Sequence, residues 1–372
     1  MHTPTRIGIL TSGGDCPGLN AVIRGVVRTC SEIGWEVLGI NDGYEGLLDP
    51  VRYEILTRRR TSGIMPLGGT ILGTTNRGRF AAKVGHGEKA RVPIEVLMEA
   101  KRTCEQLEIK ALICCGGDGS LSTALQLQEV GVNVVGVPKT IDNDISATAT
   151  SFGFDSAVNC VADAIDRLQT TARSHRRVMV VETMGRYAGW IALYGGIAGG
   201  ADVILIPEIP FHYDYVVKAI NQRMGAGYRS TIVVVAEGAC PVGQDYVTQA
   251  DPGKPGEKRL GGISAYVTEY LSARLPYECR NVILAHLQRG GNPTALDRIL
   301  GTRFGVAAVQ LIQQGKFGHM VSYQDYKIDS VPIAEAVGQI KRVPPDGQVV
   351  MAAKAMGIHF GDVDPTTPAQ RL

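Results

Sequence analysis

Short, continuously apolar, β-rich runs alternate with helix-length stretches along most of this chain, and that alternation limits the folds open to it. The runs are Ile7 to Leu10, Ala111 to Cys115, Val132 to Val137, Val178 to Val181, Val203 to Ile206, Thr231 to Ala236 and Val282 to Leu287. Unbroken apolarity, rather than alternation with polar residues, marks strands buried on both faces. Leu19 to Ile33, Ser120 to Glu129, Ser156 to Thr171, Tyr213 to Met224 and Ile263 to Leu275 have the length and periodicity of helices. Strand, glycine-rich turn and helix in repetition predict an α/β fold with mainly parallel sheets. At 372 residues the chain exceeds one ordinary core, so two domains are expected. Ligands of such sheets lie beyond the carboxyl ends of the strands, which directs attention to the loops that follow them.

Composition removes several classes of function. A net charge of +2 argues against broad binding to nucleic acid or to a membrane surface. The N-terminus has no apolar signal core, and no apolar span of about 18 residues occurs anywhere. Eight cysteines, without a C-x-x-C pair or a histidine cluster at zinc spacing, suggest reduced, buried thiols in a cytoplasmic protein. The 46 glycines gather at the ends of apolar runs, where a backbone turns tightly or meets a ligand. Cys240 to Leu260 has the composition of a surface loop, and Asp362 to Leu372 that of a loose tail.

The first strand ends in Thr11-Ser12-Gly13-Gly14-Asp15-Cys16-Pro17-Gly18-Leu19-Asn20. This is neither a Walker A loop nor a dinucleotide fingerprint, but its glycine pair exposes backbone N–H groups near a helix start. After Cys115 comes Gly116-Gly117-Asp118-Gly119-Ser120, opening directly into a helix. Three glycines let a polyphosphate lie against the backbone, and Ser120 is placed to cap the helix. A carboxylate inside a phosphate cradle is repulsive unless a cation intervenes, so Asp118 predicts Mg²⁺. A third loop, Pro138-Lys139-Thr140-Ile141-Asp142-Asn143-Asp144, carries two carboxylates at i and i+2. One of them is suited to take a proton from an attacking hydroxyl. Basic groups complete the set: Arg173, Arg176 and Arg177 precede a strand that Met184-Gly185-Arg186 follows. Glu237 ends another strand, and Arg280 precedes His286-Leu287-Gln288-Arg289. Arginines and a histidine at strand ends suit a phosphate and sugar hydroxyls.

Taken in order, T-S-G-G-D-x-P-G-x-N, G-G-D-G-S, P-x-T-I-D-N-D, M-G-R and H-x-Q-R-G-G resemble the motifs of the 6-phosphofructokinases, from about Arg6 to Lys341. The resemblance implies two Rossmann-like three-layer α/β/α domains with the active site in the cleft between them. A nucleotide-binding domain would comprise 1–153 plus 288–338, and a fructose 6-phosphate domain 154–287 plus 339–372. It implies ATP and fructose 6-phosphate as substrates, Mg²⁺ at Asp118, and a homotetramer or homodimer. Asp142 would be the general base, with Thr140 and Asp144 beside it. Gly14, Gly117, Gly119 and Ser120 would hold the nucleotide with Asp118. Arg186 would face the transferring phosphoryl group. The sugar phosphate would meet Ile141, Met184, Gly185, Glu237, His286, Leu287, Gln288 and Arg289, joined by Arg177 and Arg280 of a neighbouring subunit.

The chain departs from that family's common pattern at informative positions. Lys139 stands where many ATP users have glycine and pyrophosphate users have lysine. Gly119 stands where pyrophosphate users have an aspartate that would block the α-phosphate of ATP. Steric and like-charge exclusion outweighs one added lysine, so ATP is the expected donor and pyrophosphate the rival. Asn76 replaces a common arginine, a charge that Arg77 or Lys139 could supply. Arg24, Arg28 and Arg58 match basic positions of the family's effector site, but Gln169, Ala226 and Tyr228 replace others. A non-catalytic sugar-phosphate-binding protein is a weaker alternative, because it would be expected to have lost Asp118, Asp142 or Arg186. A kinase of the NAD and diacylglycerol kinase group shares only the G-G-D-G turn.

Overall fold

The computed structural model describes residues 4–75, 78–80, 91–250 and 258–366. The chain forms two compact units. One comprises Met1–Ile141, Ile145–Ser156 and Arg289–Ile340; the other comprises Asp142–Asp144, Ala157–Gln288 and Lys341–Leu372. The boundaries expected at 153, 287 and 338 therefore move to 156, 288 and 340. A larger departure is that Asp142–Asp144, assigned from sequence to the first domain, packs with the second unit.

Among the described residues of the first unit, one sheet runs in the order Lys327–Pro332, His319–Gln324, Val134–Pro138, Ile109–Gly116, Arg6–Thr11, Glu36–Ile40, Tyr53–Ile55. Its inner pairings are parallel and its two outermost are antiparallel. Ile7, Ile9, Leu10, Leu112, Ile113, Val134 and Val135 are fully buried, as their unbroken apolar runs require. Thr11 lies opposite Cys115, and Gly116 opposite Pro138, so three strands end level with one another.

Among the described residues of the second unit, the main sheet is parallel throughout, in the order Cys279–Ile283, Val178–Thr183, Thr231–Ala236, Val203–Leu205. The run Val282 to Leu287, expected as a strand buried on both faces, divides instead. Cys279–Ile283 is an edge strand with Arg280, Asn281 and Ile283 exposed, and Ala285–Arg289 is a 3₁₀ turn. Likewise the expected loop Cys240 to Leu260 contains a short antiparallel pair, Thr248–Ala250 with Lys258–Leu260. All eight cysteines are free thiols, most of them buried. No helix among the described residues is long and apolar enough to cross a membrane.

Candidate functional site

In the first unit the chain lays Glu36–Ile40 and Tyr53–Ile55 on one side of Arg6–Thr11, then returns to place Ile109–Gly116 on the other. The loops after Thr11 and Gly116 thus leave a topological switch point, the position where parallel sheets take ligands. Backbone bonds join them: Ser12 N–H donates to Cys115 O (2.9 Å) and Lys139 N–H to Gly116 O (3.0 Å). The helix Asp118–Glu129 begins two residues earlier than expected, with extended Gly117 at its N-cap and no side-chain cap. Ser120, expected to cap it, lies in the first turn, and its hydroxyl donates to Ser12 Oγ (3.0 Å). The uncapped N–H groups of that turn are suited to an anion.

Two cations converge on the first loop. The Lys139 ammonium, on a largely buried side chain, donates to Gly14 O. Arg289 Nη1 donates to Asp15 O (3.1 Å), and a Cβ on Gly14 would sit 2.8 Å from that same nitrogen. A side chain at Gly14 would therefore displace the guanidinium from the loop it crosses. Asp118 is exposed, and its Oδ1 accepts from Gly338 N–H (2.7 Å). Among the described residues no three His, Cys, Asp or Glu side chains cluster as a metal cage. A single carboxylate at a phosphate-suited helix start nevertheless fits Mg²⁺, which keeps waters and is shared with substrate phosphates. Gly119 is the second residue of the same helix, its carbonyl accepting from the Thr123 hydroxyl (3.1 Å). Asn76 and Arg77 lie outside the described residues.

In the second unit, Thr183 pairs with Ala236 and Glu182 with Ile283, so the following loops leave one sheet edge. Arg186 N–H donates to Glu237 Oε1 (2.9 Å), with Arg186 itself in the left-handed region at φ 52°. The next residue, Gly238, has no room for a side chain, because a Cβ would lie 2.0 Å from Arg186 O. Buried Gln288 accepts from Met184 N–H (3.3 Å) and donates to Ala285 O (3.1 Å), which fastens the methionine–arginine loop to the 3₁₀ turn. His286 and Leu287 on that turn are exposed. Thr140 and Ile141 are buried in the first unit, and Asp142 is only 4% exposed.

Burial, aided by the nearby charge of Asp142 and opposed by the Arg186 N–H bond, raises the Glu237 carboxyl to about 7. These three groups form one electrostatic unit. The unfolded chain ionises Glu237 near 4.5, so its protonation favours folding fully below that pH and ceases to do so above about 7. Glu237→Gln, neutral at every pH, should thus add on the order of 2 kcal/mol at pH 8 relative to the parent and little at pH 4. Chemical denaturation at the two pH values measures this; an equal difference at both would contradict it.

Sequence reading did not single out Glu278. Its carboxylate bridges Arg177 Nε (2.5 Å) and Arg280 Nη2 (2.5 Å), bringing the two predicted phosphate ligands together. The arginine bonds hold Glu278 below its ordinary value. The two meet because parallel pairing of Cys279–Ile283 with Val178–Thr183 sets residues 177 and 278 at neighbouring strand starts. Among the positions compared with the family's effector site, the matching Arg58 pairs with Glu32 (2.7 Å), and at the altered Tyr228 the Arg223 guanidinium lies 4.0 Å over the ring.

Comparison with known proteins gives a consistent result. The family model described as phosphofructokinase matches residues 6–312. An ATP-dependent 6-phosphofructokinase of Chloroflexus aurantiacus is 50% identical over 357 residues, 96% of this chain and 98% of its own length. ATP-dependent 6-phosphofructokinase 1 of Synechocystis sp. is 48% identical over 361 residues, again 96% and 98% of the two chains. Among solved structures, phosphofructokinase of Pichia pastoris superposes with a TM-score of 0.79 at 31% identity, covering 96% of this chain and 37% of that longer one.

Proposed function

This chain belongs to the phosphofructokinase family, and we propose that it transfers the γ-phosphoryl group of ATP to the 1-hydroxyl of fructose 6-phosphate. The products are fructose 1,6-bisphosphate and ADP, and the setting is cytoplasmic glycolysis. One observation carries the reading. The loop that leaves the glycine-rich sheet edge of the first unit runs through Lys139, Thr140 and Ile141 straight into Asp142. Asp142 then packs in the second unit, within electrostatic reach of Glu237, whose carboxylate accepts from the Arg186 N–H. A carboxylate joined by three residues to a strand that ends level with the glycine-rich loop, and electrostatically tied to a carboxylate bonded to the arginine loop, suits a base for phosphoryl transfer.

In this reading Gly14, Gly117, Gly119 and Ser120 take the nucleotide, with Arg77 or Lys139 adding charge near its phosphates. Asp118 would hold Mg²⁺, which when bound offsets phosphate charge. Asp142 accepts the proton of the attacking hydroxyl, with Thr140 beside it, and Arg186 stabilises charge on the transferring group. Met184, Gly185, Glu237, His286, Leu287 and Gln288 orient the sugar. Arg289 is shared in sequence with that turn while its guanidinium lies on the Gly14–Asp15 loop. Gly119 leaves room for the α-phosphate of ATP. The relatives at about half identity that carry ATP in their names support the same donor.

Arg177 and Arg280 are assigned to the 6-phosphate of a substrate held mainly by an adjacent subunit of a homotetramer. A phosphate would compete with Glu278 for both guanidinium groups. Replacing either arginine by Ser should raise KM for fructose 6-phosphate roughly 10- to 100-fold, as expected for loss of a charge-assisted bond. KM for ATP should stay within about twofold. Steady-state kinetics with each substrate varied decides this, and a fully active monomer would contradict the shared site.

A further inference from the structure

Asp142, Asn143 and Asp144 belong to the second unit although the first unit's chain flanks them on both sides. Such a short insert has no secondary structure to satisfy its backbone, so its partners must come from elsewhere. They come from the far end of the chain. Lys341 N–H donates to Asp144 O (2.8 Å), and Lys341 Nζ donates to Asn143 Oδ1 (2.9 Å). Asn143 has φ 53°, a left-handed conformation that asparagine adopts more readily than most side chains. Lys341 ties the loop down through both its backbone and its side chain.

Lys341 is itself held. Trp190 Nε1 donates to Lys341 O (2.8 Å), and the Lys341 ammonium lies 5.7 Å from the Trp190 ring centroid. Two residues further on, Val343 N–H donates to Glu208 Oε1 (2.9 Å), and the same carboxylate accepts from Gly189 N–H (3.0 Å). Gly189 and Trp190 open the helix Trp190–Gly199, shortly after the loop that carries Arg186. The strap Lys341–Val343 is thus bonded on one side to the aspartate loop and on the other to the segment following the arginine. Burial lowers the Lys341 ammonium to about 8, opposed by the charge of Asp144, so it remains mostly protonated at neutral pH.

We propose that Lys341 is a positioning residue for phosphoryl transfer, holding the Asp142–Asp144 loop in register with the Arg186 loop through Asn143, Asp144 and Trp190. The proposal rests on Asp142 being the base. A loosened base is mispositioned in the transition state more than it weakens ground-state binding, so the effect belongs in kcat.

Lys341→Met should lower kcat roughly 10- to 100-fold, with KM for ATP and for fructose 6-phosphate each within about threefold. In an Asp142→Asn background the same change should cost at most about twofold more, because a brace cannot misplace a base that is absent. Asn143→Gly removes the same bond from its other end while keeping a residue suited to the left-handed backbone, and should reproduce the kcat loss, which keeps the test open if Lys341→Met folds poorly. Parental kcat in both single variants, a rise confined to KM, or a full additional loss in the Asp142→Asn background would each overturn the proposal. Parental kcat in Asp142→Asn alone would instead overturn the assignment of the base. The two failures are therefore read from different enzymes.

Discussion

Replacing Asp142 by Asn is expected to lower kcat by roughly 10² to 10⁴ while fructose 6-phosphate binding changes little, the usual consequence of removing a general base. Asparagine keeps the shape and hydrogen-bonding capacity of the side chain, which matters because Asp142 is only 4% exposed and its pocket is fixed. What it loses is the ability to take a proton from the attacking hydroxyl. A second readout accompanies the first. The Asp142 charge contributes to raising Glu237, so the Glu237 titration should move downward in the variant. Retention of more than about a tenth of parental kcat would show that Asp142 has another role.

Gly119→Asp should reduce kcat/KM for ATP by about 100-fold or more, the combined result of crowding and like-charge repulsion at the donor phosphates. Gly119 follows Asp118 in the first turn of Asp118–Glu129, so the variant places two neighbouring carboxylates at one helix start. The fold should not suffer, because an acidic residue there is favoured by the helix dipole. A thermal midpoint at or above the parental one would separate ligand exclusion from unfolding. Lys139→Gly acts on a different property. Its ammonium holds Gly14 O, so removing it should loosen the first loop and slow turnover, with ATP still the preferred donor.

Most of the sheet framework was legible because buried parallel strands are written as unbroken apolar runs. Thr231–Ala236 was expected with its observed bounds, and Arg6–Thr11 and Ile109–Gly116 extend the expected runs by a residue or two. The strands and helices that were not singled out have weaker signatures for physical reasons. Tyr53–Ile55 and Lys327–Pro332 are sheet edges, partly exposed and mixed in composition. Trp190–Gly199 is apolar almost all round and glycine-rich, which hides helical periodicity. Val282 to Leu287 misled because its apolar residues serve first an edge strand and then a turn.

The candidate site was legible where chemistry is local and illegible where it depends on distant pairing. The glycine loops and the Asp142 and Arg186 motifs are contiguous in sequence, so each could be read in one window. Lys341 lies 198 positions from Asn143, and Arg177 lies 101 from Glu278; nothing local announces either pair. Ser120 illustrates the opposite error. Its position after a glycine suggested a cap, whereas the helix starts earlier and its hydroxyl serves Ser12 across the two loops.

Gly119 and Lys139 point to different donors, so donor choice distinguishes them. Coupled turnover of fructose 6-phosphate at saturating Mg²⁺, with ATP and with pyrophosphate as the donor in parallel, measures it directly. Rapid formation of fructose 1,6-bisphosphate is expected with ATP and much slower formation with pyrophosphate. Faster turnover with pyrophosphate would contradict this, and would make Lys139 rather than Gly119 the residue that selects the donor.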